Sequence, residues 1–148
     1  MIYIYHCYRG AHMSVVAAAI HLEKLPDNPG ADDILRLDYF DCLQRVDFGV
    51  PVFAGRDNAD NKVYFVGING GSLVFSRLLD SIIGELGIDL HYKLVDCLRA
   101  IGPWTRIGGY LSNYPRSRDF GRRLAAREIA RNYHKLRDMV LQARAEQV

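Results

Sequence analysis

Two patterns of apolar residues alternate along most of the chain. Short runs rich in β-branched and aromatic residues predict strands at residues 1–6, 50–54, 62–67 and 90–98. Longer runs, in which apolar residues recur every three or four positions, predict helices at residues 14–24, 72–86 and 130–147. A short helix is predicted at residues 32–42, and residues 122–129 fit either a strand or the first turns of a helix.

This order of elements predicts an α/β fold. We expect a single domain, residues 1–148, with three layers: a mostly parallel central sheet of about five strands flanked by helices. The turn-forming sequence GRDNADN separates the second and third strands, which predicts an inserted β-hairpin. The first strand is apolar on both faces, as is typical of a strand covered on two sides.

Composition narrows the class of protein. With 49% hydrophobic and 24% charged residues in 148 positions, the chain is typical of one globular domain rather than a disordered or fibrous protein. Cys7, Cys42 and Cys97 are too few and too scattered for a disulfide framework, so we expect buried, reduced thiols in a cytoplasmic protein. No signal-peptide pattern and no run of 18 apolar residues occurs, so no membrane span is expected.

The sequence CYRGAHMS follows the first strand and precedes the first helix. A loop in this position offers free main-chain N–H groups and the positive end of the helix dipole, which together favour an anion. Gly10 lets the main chain curl, Arg9 adds a charge suited to phosphate, and the hydroxyl of Ser14 can cap the helix or contact the anion. We therefore predict Arg9, Gly10 and Ser14 as ligand-binding residues.

Two residues of this loop are candidates for catalysis. A helix N-terminus and a nearby arginine can lower the pKa of a thiol, so Cys7 is a candidate nucleophile. His12 is a candidate acid or base. The alternatives are that Cys7 is a core residue, that His12 makes a hydrogen bond at the helix start and that Ser14 is only a cap.

The spacing of Cys7 and Ser14 is similar to that in the low-molecular-weight tyrosine phosphatases. Their loop also joins a first strand to a helix, and it reads Cys, five residues, Arg, then Ser or Thr. The resemblance implies hydrolysis or transfer of a phosphoryl group through the thiol. The essential arginine of that pattern is replaced here by Met13.

Two further segments are candidates for ligand contact. Gly70, Gly71 and Ser72 precede a predicted helix and are predicted to hold an anion, with a turn and a helix cap as the alternative. Arg106 lies close to two glycines and is predicted either to reach a neighbouring pocket or to pair with an acidic residue. Histidine and cysteine do not recur at metal-binding spacings, so no metal site is predicted. The sequence does not indicate any particular cofactor.

Charge is distributed unevenly along the chain. Residues 1–98 carry 8 Lys and Arg against 13 Asp and Glu, a net charge of −5, whereas residues 99–148 carry 11 against 4, a net charge of +7. The basic third either pairs with the acidic part of the same protein or contacts an external partner. The alternative function is therefore a non-catalytic interaction module that binds nucleic acid or an acidic protein.

Three segments, YHCYRGAHMSVVAAAIHLEKLP, VYFVGINGGS and TRIGGYLSN, together resemble a family of small bacterial proteins known only as a domain of unknown function. The likeness covers nearly the whole chain. It implies a cytoplasmic α/β protein, but it implies no enzymatic activity because none is assigned to the family. Members of the family carry Gly-Gly where this chain has Arg9 and Gly10, so the resemblance favours Gly10, His12 and Ser14 over Arg9. We expect binding, with or without turnover, of a phosphate-bearing or other anionic small molecule at residues 7–14.

Overall fold

A computed structural model describes residues 1–42, 47–69, 71–100 and 118–146 of the chain. Its elements, in chain order, are β1 (Ile2–Cys7), α1 (Met13–His21), α2 (Ala31–Leu35), β2 (Val52–Arg56), β3 (Lys62–Gly67), α3 (Ser72–Leu86), β4 (Tyr92–Asp96), a 3₁₀-helix (Cys97–Ala100), α4 (Arg118–Arg131) and α5 (Tyr133–Ala145). The fold is therefore α/β, as predicted.

The strands form one open, mostly parallel sheet in the order β2-β3-β1-β4. The central strand β1 pairs in parallel with both β3 and β4, while β2 pairs antiparallel with β3. In the part of the chain that the structure describes, the sheet has four strands rather than about five. The three-layer arrangement stays a prediction.

The ambiguous segment 122–129 is helical, since it belongs to α4. Its fully buried residues are Ala125, Ala126 and Ile129, and this spacing places them on one side of a helix. The last helix was predicted to start at residue 130, but α5 starts at Tyr133, because the helical conformation is interrupted at Asn132 between α4 and α5. The side-chain amide of Asn132 donates a hydrogen bond to the carbonyl of Glu128 at 3.0 Å and so occupies the end of α4.

The inserted β-hairpin is present between β2 and β3. Asp57 organises its turn, since its Oδ1 accepts hydrogen bonds from the main-chain N–H groups of Ala59 at 2.9 Å and Asn61 at 2.8 Å. Such side-chain to main-chain bonds are the reason that Asp is favoured in turns. The local sequence therefore contained the information for this hairpin.

The core lies between the sheet and one group of helices. Every residue of α1 is buried, and α1 lies against β1, β3 and α5. This helix ends at His21, earlier than predicted, because Glu23 adopts a left-handed conformation with φ +56°. The helix therefore ends before Pro26, the residue that was expected to terminate it.

Helix α3 differs from α1, because none of its residues is buried. Its bounds match the prediction, and Gly87 ends it in a left-handed conformation with φ +59°. The hydroxyl of Tyr92, on β4, donates to Oδ1 of Asp80 on α3 at 2.6 Å. No helix within the described ranges is long and apolar enough to cross a membrane.

Candidate functional site

The loop between β1 and α1 is packed tightly against the end of β3. Gly10 has φ +74°, and a Cβ atom at this position would lie 2.5 Å from the main-chain nitrogen of Gly67. A Cβ atom on Gly67 would lie 2.4 Å from the carbonyl carbon and oxygen of Arg9. Real atoms do not approach so closely, so both positions require glycine. Gly10 was predicted, whereas Gly67 was missed although it ends a strand and precedes a loop.

The sulfur of Cys7 lies at the centre of this loop. The N–H of Gly10 donates a hydrogen bond to Sγ of Cys7 at 3.2 Å, and Oγ of Ser14 lies 3.2 Å from the same sulfur. Cys7 is 4% exposed and Ser14 is fully buried. A main-chain N–H and a hydroxyl therefore meet at one buried sulfur, and the hydroxyl of Ser14 can either donate to the thiol or accept from it.

The start of α1 adds further donors. The first main-chain hydrogen bond there runs from the N–H of Val16 to the carbonyl of His12 at 3.0 Å, so the preceding amides lack a helical acceptor. His12 occupies the N-cap position without a capping bond from its side chain, and the first turn contains no acidic residue. The positive end of the helix dipole is thus not neutralised by a carboxylate of its own first turn.

His12 is held in place by a carboxylate that sequence reasoning missed. Its Nε2 lies 3.0 Å from Oδ1 of Asp41, and these side chains are 8% and 4% exposed. Phe40 packs edge-on against the imidazole ring, with centroids 5.2 Å apart. The N–H of Asp41 donates to the carbonyl of Ala11 at 2.8 Å, so the loop and Asp41 are bound together twice. No local signal could reveal a partner 29 residues away.

The structure brings Cys7, Gly10, His12 and Ser14 into one loop. Arg9 lies in the same loop and is partly exposed. Gly70 and Arg106 were also predicted to contact the ligand, but both lie outside the described residues.

The loop between β3 and α3, the second predicted anion site, lies beside the β1–α1 loop, but its Ser72 faces a different cleft. The N–H of Asn69 donates to the carbonyl of Tyr8 at 3.0 Å, which joins the two loops. The N–H of Gly71 donates to the carbonyl of Ile68 at 2.8 Å, as in a turn. Ser72 then begins α3 and lines a cleft at the edge of the sheet rather than the Cys7 loop.

The three cysteines are free thiols, as predicted. Cys7 and Cys97 are buried, but Cys42 is exposed, so the expectation that every thiol is buried is wrong for Cys42. Burial raises the pKa of the Cys97 thiol well above its usual range. Among the described residues, no three His, Cys, Asp or Glu side chains are grouped closely enough to hold a metal ion.

Some of the basic residues in the last third pair with the acidic first part of the chain. Arg144 lies 3.4 Å from Glu23, and Arg137 lies 3.2 Å from Asp27. These pairs are the ones expected if the uneven charge is balanced within the protein. Binding of nucleic acid or an acidic protein by this part of the chain stays a prediction.

Comparison with known proteins identifies one family. A family model described as "Protein of unknown function (DUF3189)" matches residues 2–145. The match covers nearly the whole chain, as the resemblance of the three sequence segments implied. No curated protein and no solved structure matches the chain.

Proposed function

Because the chain belongs to the DUF3189 family of unknown function, we propose its function from the geometry of the β1–α1 loop. The protein binds a phosphate-bearing or other anionic small molecule at residues 7–14. The anion lies at the mouth of the loop, over the sulfur of Cys7 and the first amides of α1. Tyr8 is 53% exposed and lies at the rim, where the loop reaches solvent.

One observation carries this proposal: a main-chain N–H from the middle of the loop and a hydroxyl from its end, both of which can donate to an anion, converge on the sulfur of Cys7. The distance is 3.2 Å both from the N–H of Gly10 and from the hydroxyl oxygen of Ser14. A neutral thiol is a weak acceptor and gains little from two donors. The same donor groups, together with the positive end of the α1 dipole, interact strongly with an anion.

The other residues of the loop have distinct roles in this proposal. Gly10 and Gly67 allow the close approach that bends the loop into a ring. Asp41 fixes the orientation of His12 through Nε2, which leaves Nδ1 as the second polar atom of the imidazole. Arg9 adds a positive charge at the rim. Met13 stands where the phosphatase pattern has its arginine, so the proposal is for binding of the anion and includes no attack by Cys7.

The test is ligand binding by the intact protein. Thermal unfolding and ³¹P NMR are measured with inorganic phosphate first, then with nucleotides and sugar phosphates. A ligand present at 100 times its Kd stabilises the folded state by about 2.7 kcal/mol, which gives a clear shift of the midpoint. The substitution Ser14→Ala removes the hydroxyl at the sulfur, and we expect it to weaken binding at least about tenfold, the equivalent of about 1.4 kcal/mol.

The matched control is Ser81→Ala, because Ser81 is an exposed serine on α3. This variant is expected to bind every ligand as the unchanged protein does. The proposal fails if no phosphorylated ligand and no inorganic anion alters the unfolding midpoint or the ³¹P signal. It also fails if Ser14→Ala and Ser81→Ala bind equally well.

A further inference from the structure

A cleft with a volume of about 740 Å³ runs along β4, the strand at one edge of the sheet that the described residues form. Its floor is formed by four consecutive residues of β4, from Lys93 to Asp96. Leu73 and Ser76 of α3 line one side, and Met139 and Ala143 of α5 line the other. The cleft is therefore a groove between two helices, with the edge of a strand at its base.

The main chain of β4 presents hydrogen-bonding groups to this groove. The N–H of Ile2 donates to the carbonyl of His91 at 2.9 Å, and the parallel register pairs Ile2 with Tyr92 and Ile4 with Leu94. In a parallel ladder with this register, Lys93 and Val95 bond to β1, while the N–H and C=O of Leu94 point away from the sheet. Among the described residues, nothing bonds to these two groups of Leu94.

We propose that this groove binds an extended peptide segment of another protein, which adds to β4 as a further strand. Unpaired N–H and C=O groups on an edge strand are the template for such strand addition. A second copy of this chain fits the groove less well, because its own β4 is flanked by the same two helices. A single extended peptide has no flanking layers and can lie between α3 and α5.

The lining of the groove defines the chemistry of the peptide. Side chains of an added strand alternate between the two walls. Those directed toward α5 meet Val95, Met139 and Ala143, so apolar residues are favoured at alternate positions. Among the described residues of the lining, the charged side chains Lys93 and Glu146 pair with each other at 2.8 Å. The apolar wall therefore defines the alternate positions of the peptide that matter most.

Hydrogen exchange of the free protein tests the state of the edge directly. In an NMR exchange experiment, we expect the amide of Leu94 to exchange at least about 100-fold faster than that of Val95, because only Val95 is paired with β1. Comparable protection of both amides in the free protein would show that the edge is already paired, and it would overturn the proposal.

A designed probe tests the binding of a peptide. The probe is an acetylated peptide of seven residues in which valine, for the apolar wall, alternates with lysine, for solubility, and a second probe carries N-methyl groups on every main-chain amide, so that neither of its edges can donate. We expect fluorescence anisotropy to show binding of the first peptide and at least about tenfold weaker binding of the second. Binding of the first should also slow exchange at Leu94. Equal binding of the two peptides, or no binding of either, contradicts strand addition.

A pair of substitutions at one position separates main-chain pairing from side-chain contact. Leu94→Pro removes the outward N–H without removing a bond to β1, because proline is tolerated where the N–H faces away from the sheet. Leu94→Val keeps the N–H and is the control. We expect only Leu94→Pro to weaken binding of the unmethylated peptide, by at least about tenfold. If Leu94→Pro does not fold, the exchange rates and the methylated peptide still decide the question.

Discussion

His21 donates a hydrogen bond from Nε2 to Oδ2 of Asp57 at 3.0 Å, and this bond joins α1 to the turn between β2 and β3. On the other side of the ring, the hydroxyl of Tyr5 donates to Nδ1 at 2.7 Å. The His21 and Asp57 side chains are 0% and 5% exposed. A neutral imidazole protonated at Nε2 satisfies all three polar groups. The network thus connects the central strand, a buried helix and the hairpin.

The protonation states of this network follow from its surroundings. Burial lowers the pKa of His21, and this effect exceeds the opposite effect of the hydrogen bond to Asp57. For Asp57, burial by itself raises the pKa, but hydrogen bonds from Asn61, His21 and the nearby amides outweigh it and hold the pKa well below its usual range. The folded protein therefore prefers a neutral His21 and an ionised Asp57.

Acid should weaken the fold through His21. As the pH falls below about 6.5, the usual pKa of histidine, the unfolded chain binds a proton that the folded protein resists. The free energy of unfolding, measured by urea denaturation, should therefore fall between pH 7.5 and pH 5. The substitution His21→Gln should reduce that fall. The control His91→Gln alters an exposed histidine and should leave the fall unchanged. Identical pH profiles for His21→Gln and the unchanged protein would contradict the prediction.

Two glycines with nearly the same positive φ angle test the packing of the Cys7 loop. Gly10 has φ +74° and Gly49 has φ +79°, but a Cβ atom on Gly49 would meet nothing within 4 Å. Gly49→Ala should therefore cost about 1–2 kcal/mol from the left-handed conformation alone. Gly10→Ala should cost more, because its Cβ lies 2.5 Å from the nitrogen of Gly67. Equal losses in urea unfolding would argue against the close approach.

Much of the fold was predictable because its signals are local. The apolar strand β1, the hairpin and both ends of α3 follow from periodicity, from turn residues and from Gly87. The segment 122–129 was ambiguous, because a short run with alanine and leucine between arginines fits more than one periodicity. In the structure the segment is helical, and the helix buries Ala125, Ala126 and Ile129 on one side, which is a tertiary contact that the local sequence does not reveal.

The candidate site was predictable only in part. Cys7, Gly10, His12 and Ser14 belong to one short segment, so sequence reasoning could place them together. Asp41 could not be found in this way, since its role depends on the contact between the β1–α1 loop and a segment 29 residues away. The position of β4 at the edge of the sheet formed by the described strands could not be predicted either, because strand order is a property of the assembled sheet and not of any one segment.

The His12–Asp41 pair should be coupled in a way that an exposed ion pair is not. In a double-mutant cycle of His12→Ala and Asp41→Ala, we expect a coupling free energy of about 1–3 kcal/mol, because both side chains are buried. The control cycle uses Arg56 and Asp60, which lie 2.9 Å apart with side chains 46% and 80% exposed, and it should give less than about 1 kcal/mol. A buried pair no more strongly coupled than the exposed one would show that Asp41 does not hold His12.

Phosphate should protect Cys7 from alkylation if an anion lies over its sulfur. Iodoacetamide modification of the folded protein is followed by mass spectrometry, with and without inorganic phosphate at constant ionic strength. Cys42 is exposed and should be modified at the same rate in both conditions, so it is the internal control. Cys7 should react more slowly when phosphate is present, because the anion and the thiolate require the same donors from Gly10 and Ser14. An unchanged rate at Cys7, at phosphate concentrations that shift the unfolding midpoint, would place the anion elsewhere on the protein.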